Sequence, residues 1–98
     1  MSILKNYTVY ILQCADDSYY VGMTNDIDRR LAEHQQGLNR GYTNSRRPVK
    51  LVFTEHFSDV NHAFEFEKQI KGWRRAKKEA LIKGEWDLLP ELSKAYKK

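Results

Sequence analysis

Apolar and polar positions alternate along this chain with two different periods. Tyr7 to Cys14 (YTVYILQC) is rich in aromatic and β-branched residues, which predicts a strand partly buried on both faces. Ala15 to Ser18 is turn material, and Tyr19 to Met23 (YYVGM) reads as the returning strand of a hairpin. Gly22 inside that strand suggests a bulge, or a place where something approaches the backbone closely. Thr24, Asn25 and Asp26 offer cap oxygens for a helix from about Ile27 to Gln36, stopped at Gly37. Leu38 to Pro48 reads as a basic loop, and Val49 to Phe57 (VKLVFTEHF) as a third strand with Pro48 at its entrance.

From Val60 the period lengthens. Ser58 and Asp59 cap a helix that should run to about Arg74 or further, with Val60, Ala63, Phe64, Phe66, Ile70 and Trp73 along its apolar arc. The stretch from Ala76 to Lys98 looks helical, broken near Gly84 and Pro90, and Trp86, Leu88, Leu89 and Leu92 could close the core. The order β-β-α-β-α-α predicts an α+β domain, an antiparallel three-stranded sheet flanked by helices. One domain is expected over residues 1–98, with a core at about 7–75 and a helical extension over 76–98.

Composition narrows the classes. With 98 residues the chain is too short for a two-domain cofactor enzyme. Cys14 is the single cysteine, which excludes an internal disulfide or a multi-cysteine metal cluster and fits a reducing cytoplasm. No apolar run is long enough to cross a membrane.

Charge adds a functional hint. Six basic residues and one acid lie between Arg29 and Lys50, and seven basic residues and one acid between Lys68 and Lys83. The remainder of the chain is acidic, so the two blocks suggest a face for a polyanion, against the plainer reading of a solvated loop and helix face.

Glu67 falls inside the apolar arc of its helix. A carboxylate there sheds water at a cost unless it is paired or metal-bound. One reading is an ion pair with Lys71 or Arg74; the other is a ligand for a hard cation such as Mg²⁺ or Mn²⁺.

Three separated elements together resemble the GIY-YIG nuclease domain, in particular its small stand-alone bacterial members. They are Thr8-Val9-Tyr10; Tyr20-Val21-Gly22 followed by Arg30 and His34; and Glu67 in a later helix. The likeness covers roughly Tyr7 to Trp73, and Arg46-Arg47-Pro48 and Gly72-Trp73-Arg74 share in it. Thr8 stands where the family motif begins with glycine, and the asparagine that many members carry after the glutamate helix has no match.

The resemblance implies hydrolysis of phosphodiester bonds in nucleic acid, DNA before RNA, with one divalent cation on Glu67. Arg30 would grip the phosphate, and Tyr10 or Tyr20, the latter favoured, would orient or deprotonate the water. His34 would accept a proton from Tyr20 or donate to phosphate, and Gly22 would let the backbone approach the substrate. Tyr42, Arg46, Arg47, Lys71, Arg74 and Arg75 would contact the nucleic acid. Without that context the tyrosine pair and His34 read as packing, and Arg30 as a neutraliser of Asp26. His56 and His62 read as non-catalytic. The expected substrate is branched, nicked or single-stranded DNA, in repair or recombination. The protein would be cytoplasmic and a monomer or weak dimer, with a protein partner to target it. The alternatives are a nucleic-acid-binding module of the same fold that cuts poorly or not at all, and an adaptor that meets an acidic protein.

Overall fold

A computed structural model describes residues 6–38 and 41–85. Arg40 and the proposed core residues Trp86, Leu88, Leu89 and Leu92 lie outside the described residues. The elements are β1 (Tyr7–Gln13), β2 (Tyr19–Thr24), α1 (Ile27–Gln36), a 3-10 turn (Asn44–Arg46), β3 (Lys50–Phe57), α2 (Val60–Lys71) and α3 (Arg75–Lys83). The sheet has three antiparallel strands in the order β2-β1-β3, so the fold is α+β as the sequence predicts.

Local chemistry fixes the ends of the helices. Asp26 caps α1 by accepting from the Arg29 amide, and Gly37 closes it in the left-handed conformation at φ 74°. Asp59 caps α2 by accepting from the Asn61 amide at 2.8 Å. Two expectations need correction. The second helix ends at Lys71 rather than Arg74, because Gly72 and Trp73 turn the chain and Arg74 is extended before α3 begins. The irregularity in the sheet lies between Ile11 and Leu12 on the β1–β3 side, not at Gly22.

β1 is central and buried on both faces. Val9 and Ile11 join Val21, Ala63, Ile70, Trp73 and Leu81 in one core cluster. Tyr10, Leu12 and Cys14 join Val49 in a second, with Tyr20, Ile27, Leu31 and Leu51 packed against it. Each fully buried aliphatic side chain contributes about 1.5–3 kcal/mol relative to its exposed state. The side-chain amide of Gln35 at the end of α1 acts as a strand mimic, donating to the Val49 carbonyl at 2.6 Å and accepting from its amide at 3.2 Å. That pair ties α1 to the start of β3.

The apolar arc of α2 is narrower than its sequence predicts. Ala63, Ile70 and Trp73 are buried and Phe66 packs on Phe53 and Phe57. Phe64, at 55% exposure, and Val60 face outward, because contact through Ala63 and Phe66 rolls that side of the helix away from the sheet.

Candidate active site

The hairpin register places two tyrosines on one face. Tyr10 is opposite Gly22 and Leu12 is opposite Tyr20, so Tyr10 and Tyr20 are diagonal neighbours with ring centroids 6.3 Å apart. The Tyr10 ring leans across Gly22, and a Cβ built there would run into its phenol. Within the described residues the close approach to Gly22 is made by the Tyr10 ring.

α1 lies over this face and supplies His34 and Arg30, one turn apart. His34 is 2% exposed, and its Nε2 is 3.0 Å from the Tyr10 hydroxyl. Its Nδ1 is 2.7 Å from Thr43 Oγ1. The imidazole also meets the Tyr20 ring edge-on at 5.3 Å. His34 thus bonds Tyr10, where the sequence pointed to proton exchange with Tyr20. Burial, and then the Arg30 charge, push the His34 pKa below its ordinary 6.5, so the ring is neutral at pH 7.

Tyr10 is 1% exposed, and its pKa is pushed up to about 12. Burial is the main cause and Tyr20 adds to it, while the Arg30 guanidinium beside the hydroxyl opposes both. Arg30 Nε is 3.2 Å from Glu33 Oε1. It is nevertheless buried without a hydrogen-bond partner among the described residues, so the contact is an ion pair of poor hydrogen-bonding geometry. Glu33, not Asp26, neutralises Arg30; Asp26 is paired with Arg29 instead.

Glu67 comes from α2. Its side chain is 13% exposed, and Lys71 Nζ stands 3.0 Å from Oε2. The pairing reading of Glu67 therefore holds for Lys71 and not for Arg74. Its charge is also felt at Tyr10, where it opposes ionisation. Tyr10, Tyr20, Arg30 and His34 meet at one place, and of these only Tyr10 feels the Glu67 charge.

A sequence model described as the GIY-YIG catalytic domain matches residues 6–80. The chain belongs to the GIY-YIG family. GIY-YIG is a nuclease superfamily, and this member is similar to small stand-alone ones. A UPF0213 protein of Natronomonas pharaonis is 45% identical over 80 residues, which is 82% of this chain and 94% of that protein. The UPF0213 protein YazA of Bacillus subtilis is 41% identical over 78 residues, 80% of this chain and 79% of its own length. The solution structure of a UPF0213 protein from Bacillus halodurans superposes with a TM-score of 0.54 at 42% identity, covering 80% of this chain and 83% of that one. The solution structure of a protein from E. faecalis gives a TM-score of 0.59 at 35% identity over 86% of this chain and 90% of its own.

Around the GIY-YIG residues, the basic loop is folded back rather than extended. Tyr42 stacks on Tyr20 with centroids 6.1 Å apart, and the Arg46 guanidinium lies 3.9 Å over the Tyr42 ring. Arg46 also bonds Asp16 at 3.0 Å and the Tyr42 carbonyl at 2.8 Å, and its own carbonyl accepts from Ala15 at 2.8 Å. Tyr42 keeps 41% of its surface exposed despite these contacts. Arg47 bonds the Asn44 carbonyl at 2.9 Å and packs on Gly37 at the end of α1.

On the other basic block, Arg75 bonds Glu79 at 2.9 Å and covers the Tyr19 ring at 4.5 Å. Lys77 is buried with Nζ 3.7 Å over the core residue Trp73. Of the six proposed contact residues in the two blocks, Arg74 alone has an exposed side chain with no partner among the described residues.

Thr43 was not legible in the sequence. Its only cue is its place beside Tyr42, and it is reached through a loop whose folding the hydrophobic pattern does not encode. An open hollow of about 550 Å³ lined by Thr8, Asp26, Asp28 and His56 holds none of Tyr10, Tyr20, Arg30, His34 and Glu67. His56 bonds Thr8 there at 2.8 Å.

The donor set suits a divalent cation bound with few protein ligands. Among the described residues no three His, Cys, Asp or Glu side chains come together. Glu67 is a single, mostly buried carboxylate, and one carboxylate with waters and a substrate phosphate is an ordinary Mg²⁺ arrangement. No described helix is long and apolar enough to cross a membrane.

Proposed function

We propose that this protein is a divalent-cation-dependent endonuclease that hydrolyses phosphodiester bonds in DNA, preferring branched, nicked or single-stranded structure over sequence, in repair or recombination. The observation that carries the reading is Arg30 Nε. The atom is buried and makes no hydrogen bond among the described residues, on a one-third-exposed guanidinium that Glu33 pairs at 3.2 Å, beside two tyrosines and a neutral histidine. An unsatisfied buried donor costs about 1–3 kcal/mol, and a phosphate oxygen is the acceptor that a guanidinium fits best.

In this reading Arg30 binds the scissile phosphate. Tyr10 stays protonated and anchors His34, because burial holds its pKa at about 12. Tyr20, on the more exposed side of the pair, orients the attacking water. Glu67 would hold Mg²⁺ or Mn²⁺ in place of its pairing with Lys71, and the cation would supply charge neutralisation at the leaving oxygen. Lys71, with its side chain 56% exposed, has room to swing aside. Affinity comes from phosphate contacts, Arg74 among them, and falls with salt. The protein acts in the cytoplasm as a monomer or weak dimer, with a partner protein for targeting.

The test is cleavage of labelled branched and linear DNA with Mg²⁺ or Mn²⁺ and with EDTA. EDTA should abolish cutting, and Glu67→Gln and Arg30→Ala should each lower it about 100–1,000-fold with DNA binding retained. Binding without any cutting by the wild type would favour the second reading, a non-catalytic nucleic-acid module. The Glu67–Lys71 pair is the observation on that side. Failure to bind at low salt would favour the protein adaptor.

A further inference from the structure

Glu67 and Lys71 form an unequal pair. The carboxylate is held by the fold, its side chain 13% exposed, while the lysine is 56% exposed at the last turn of α2. Lys71 Nζ stands 3.0 Å from Glu67 Oε2, and Lys71 is the one cation within ion-pair distance of Glu67 among the described residues. The i,i+4 spacing keeps the two on one helix face, so the ammonium is tethered beside the carboxylate.

Lys71 and a divalent cation want the same place. Mg²⁺ binds a carboxylate oxygen at about 2.0–2.1 Å. An ammonium 3.0 Å from that oxygen would lie within a few ångströms of a doubly charged ion, and the two repel. The ammonium is the group that can leave, because its flexible stem reaches solvent while the carboxylate stays mostly covered. In the free protein the same contact keeps the Glu67 charge from standing unpaired.

We propose that Lys71 is a built-in competitor of the cation: it occupies Glu67 in the free protein and so sets the cation concentration at which the site fills. The proposal rests on the reading of Glu67 as a cation ligand. Lys68 separates this role from positive charge in general. It is exposed one position after Glu67, about 100° away around the helix, and makes no ion pair among the described residues.

Mn²⁺ binding to the full chain without nucleic acid, followed by electron paramagnetic resonance of the free ion, tests the proposal. Lys71→Met should bind Mn²⁺ about 3–10-fold more tightly than the wild type, since a screened like charge next to the ion is removed. Lys71→Arg, which keeps the charge, should match the wild type. Lys68→Met should change the affinity less than about 2-fold, and Glu67→Gln should abolish binding. At one Mn²⁺ concentration the rise in Tm should be larger in Lys71→Met than in the wild type, because stabilisation follows occupancy.

A Lys71→Met protein with wild-type Mn²⁺ affinity, or equal tightening by Lys68→Met, overturns the proposal. If Glu67→Gln still abolishes binding in that case, Glu67 stands as the cation ligand. Mn²⁺ binding absent from the wild type and Lys71→Met alike, or unchanged in Glu67→Gln, removes Glu67 as the ligand, and the proposal falls with that reading. In the cleavage assay the cation concentration giving half the maximal rate should fall in Lys71→Met by the same factor as the Mn²⁺ affinity rises; an unchanged midpoint beside tighter Mn²⁺ binding refutes control of site filling.

Discussion

On the face of the sheet under α2 and α3, Val9, Ile11 and Val21 meet Ala63, Ile70, Trp73 and Leu81. On the opposite face, residues of the same two strands meet α1 and the basic loop, and Tyr10 there hydrogen-bonds His34, which bonds Thr43. The first face is held by non-directional burial and depends on volume and fit. The second is held by bonds of fixed direction between buried polar groups, each costly if left unmade. One strand serves both because its side chains alternate between the two faces. The apolar face supplies stability, and the polar face uses it to hold groups that would otherwise prefer water.

Substitutions on the two faces should differ in size and in kind. Ile11→Ala should have the largest effect, lowering unfolding free energy by about 2–5 kcal/mol through lost burial and a cavity. Denaturant titration measures it, and a loss smaller than that of Tyr10→Phe would break the comparison. Gly22→Ala comes next at about 1–3 kcal/mol, since its Cβ must displace the Tyr10 ring from His34. A melting curve like that of the wild type would mean that the polar face is looser than its geometry implies.

Tyr10→Phe should cost about 1 kcal/mol by removing the hydroxyl that bonds His34 Nε2. An ultraviolet titration should show one tyrosine ionising late, near pH 12, and that step should vanish in the variant. The pKa of Tyr10 is raised from 10.0 to about 12, so its contribution to stability is complete below pH 10 and is lost as pH rises through 12.

His34 has the opposite sign. Its folded pKa lies below 6.5, so its contribution is complete above pH 6.5 and is lost as pH falls through the folded value. Melting temperature against pH should decline less steeply on the acid side in His34→Gln than in the wild type. The smallest effect belongs to Phe64→Ser, within about 0.5 kcal/mol because the ring is already exposed. A larger loss by thermal melting would show that the outer side of α2 also contributes to packing.

The strand at Tyr7, the cap at Asp26, the stop at Gly37 and the cap at Asp59 were legible because each rests on near neighbours in sequence. The GIY-YIG tyrosines, Arg30, His34 and Glu67 were legible through spacing and resemblance. The roles of the basic residues were not. Arg46 finds Asp16 across thirty positions, and Arg47 finds the end of α1, so both are occupied by contacts that no local pattern announces. The same holds for Gly22, whose open side is filled by a ring on the neighbouring strand.

The sequence by itself determined the order of elements, the alternation that puts Tyr10 and Ile11 on opposite faces, and the set of groups able to handle phosphate. Periodicity and capping act over a few residues and are written in the chain directly. Tertiary structure decided which hydroxyl His34 bonds, which acid sits beside Arg30, and that Lys71 stands on Glu67. Those outcomes depend on distances between elements far apart in the chain, and the strength and direction of a hydrogen bond or ion pair exist only once the two partners have been brought within a few ångströms.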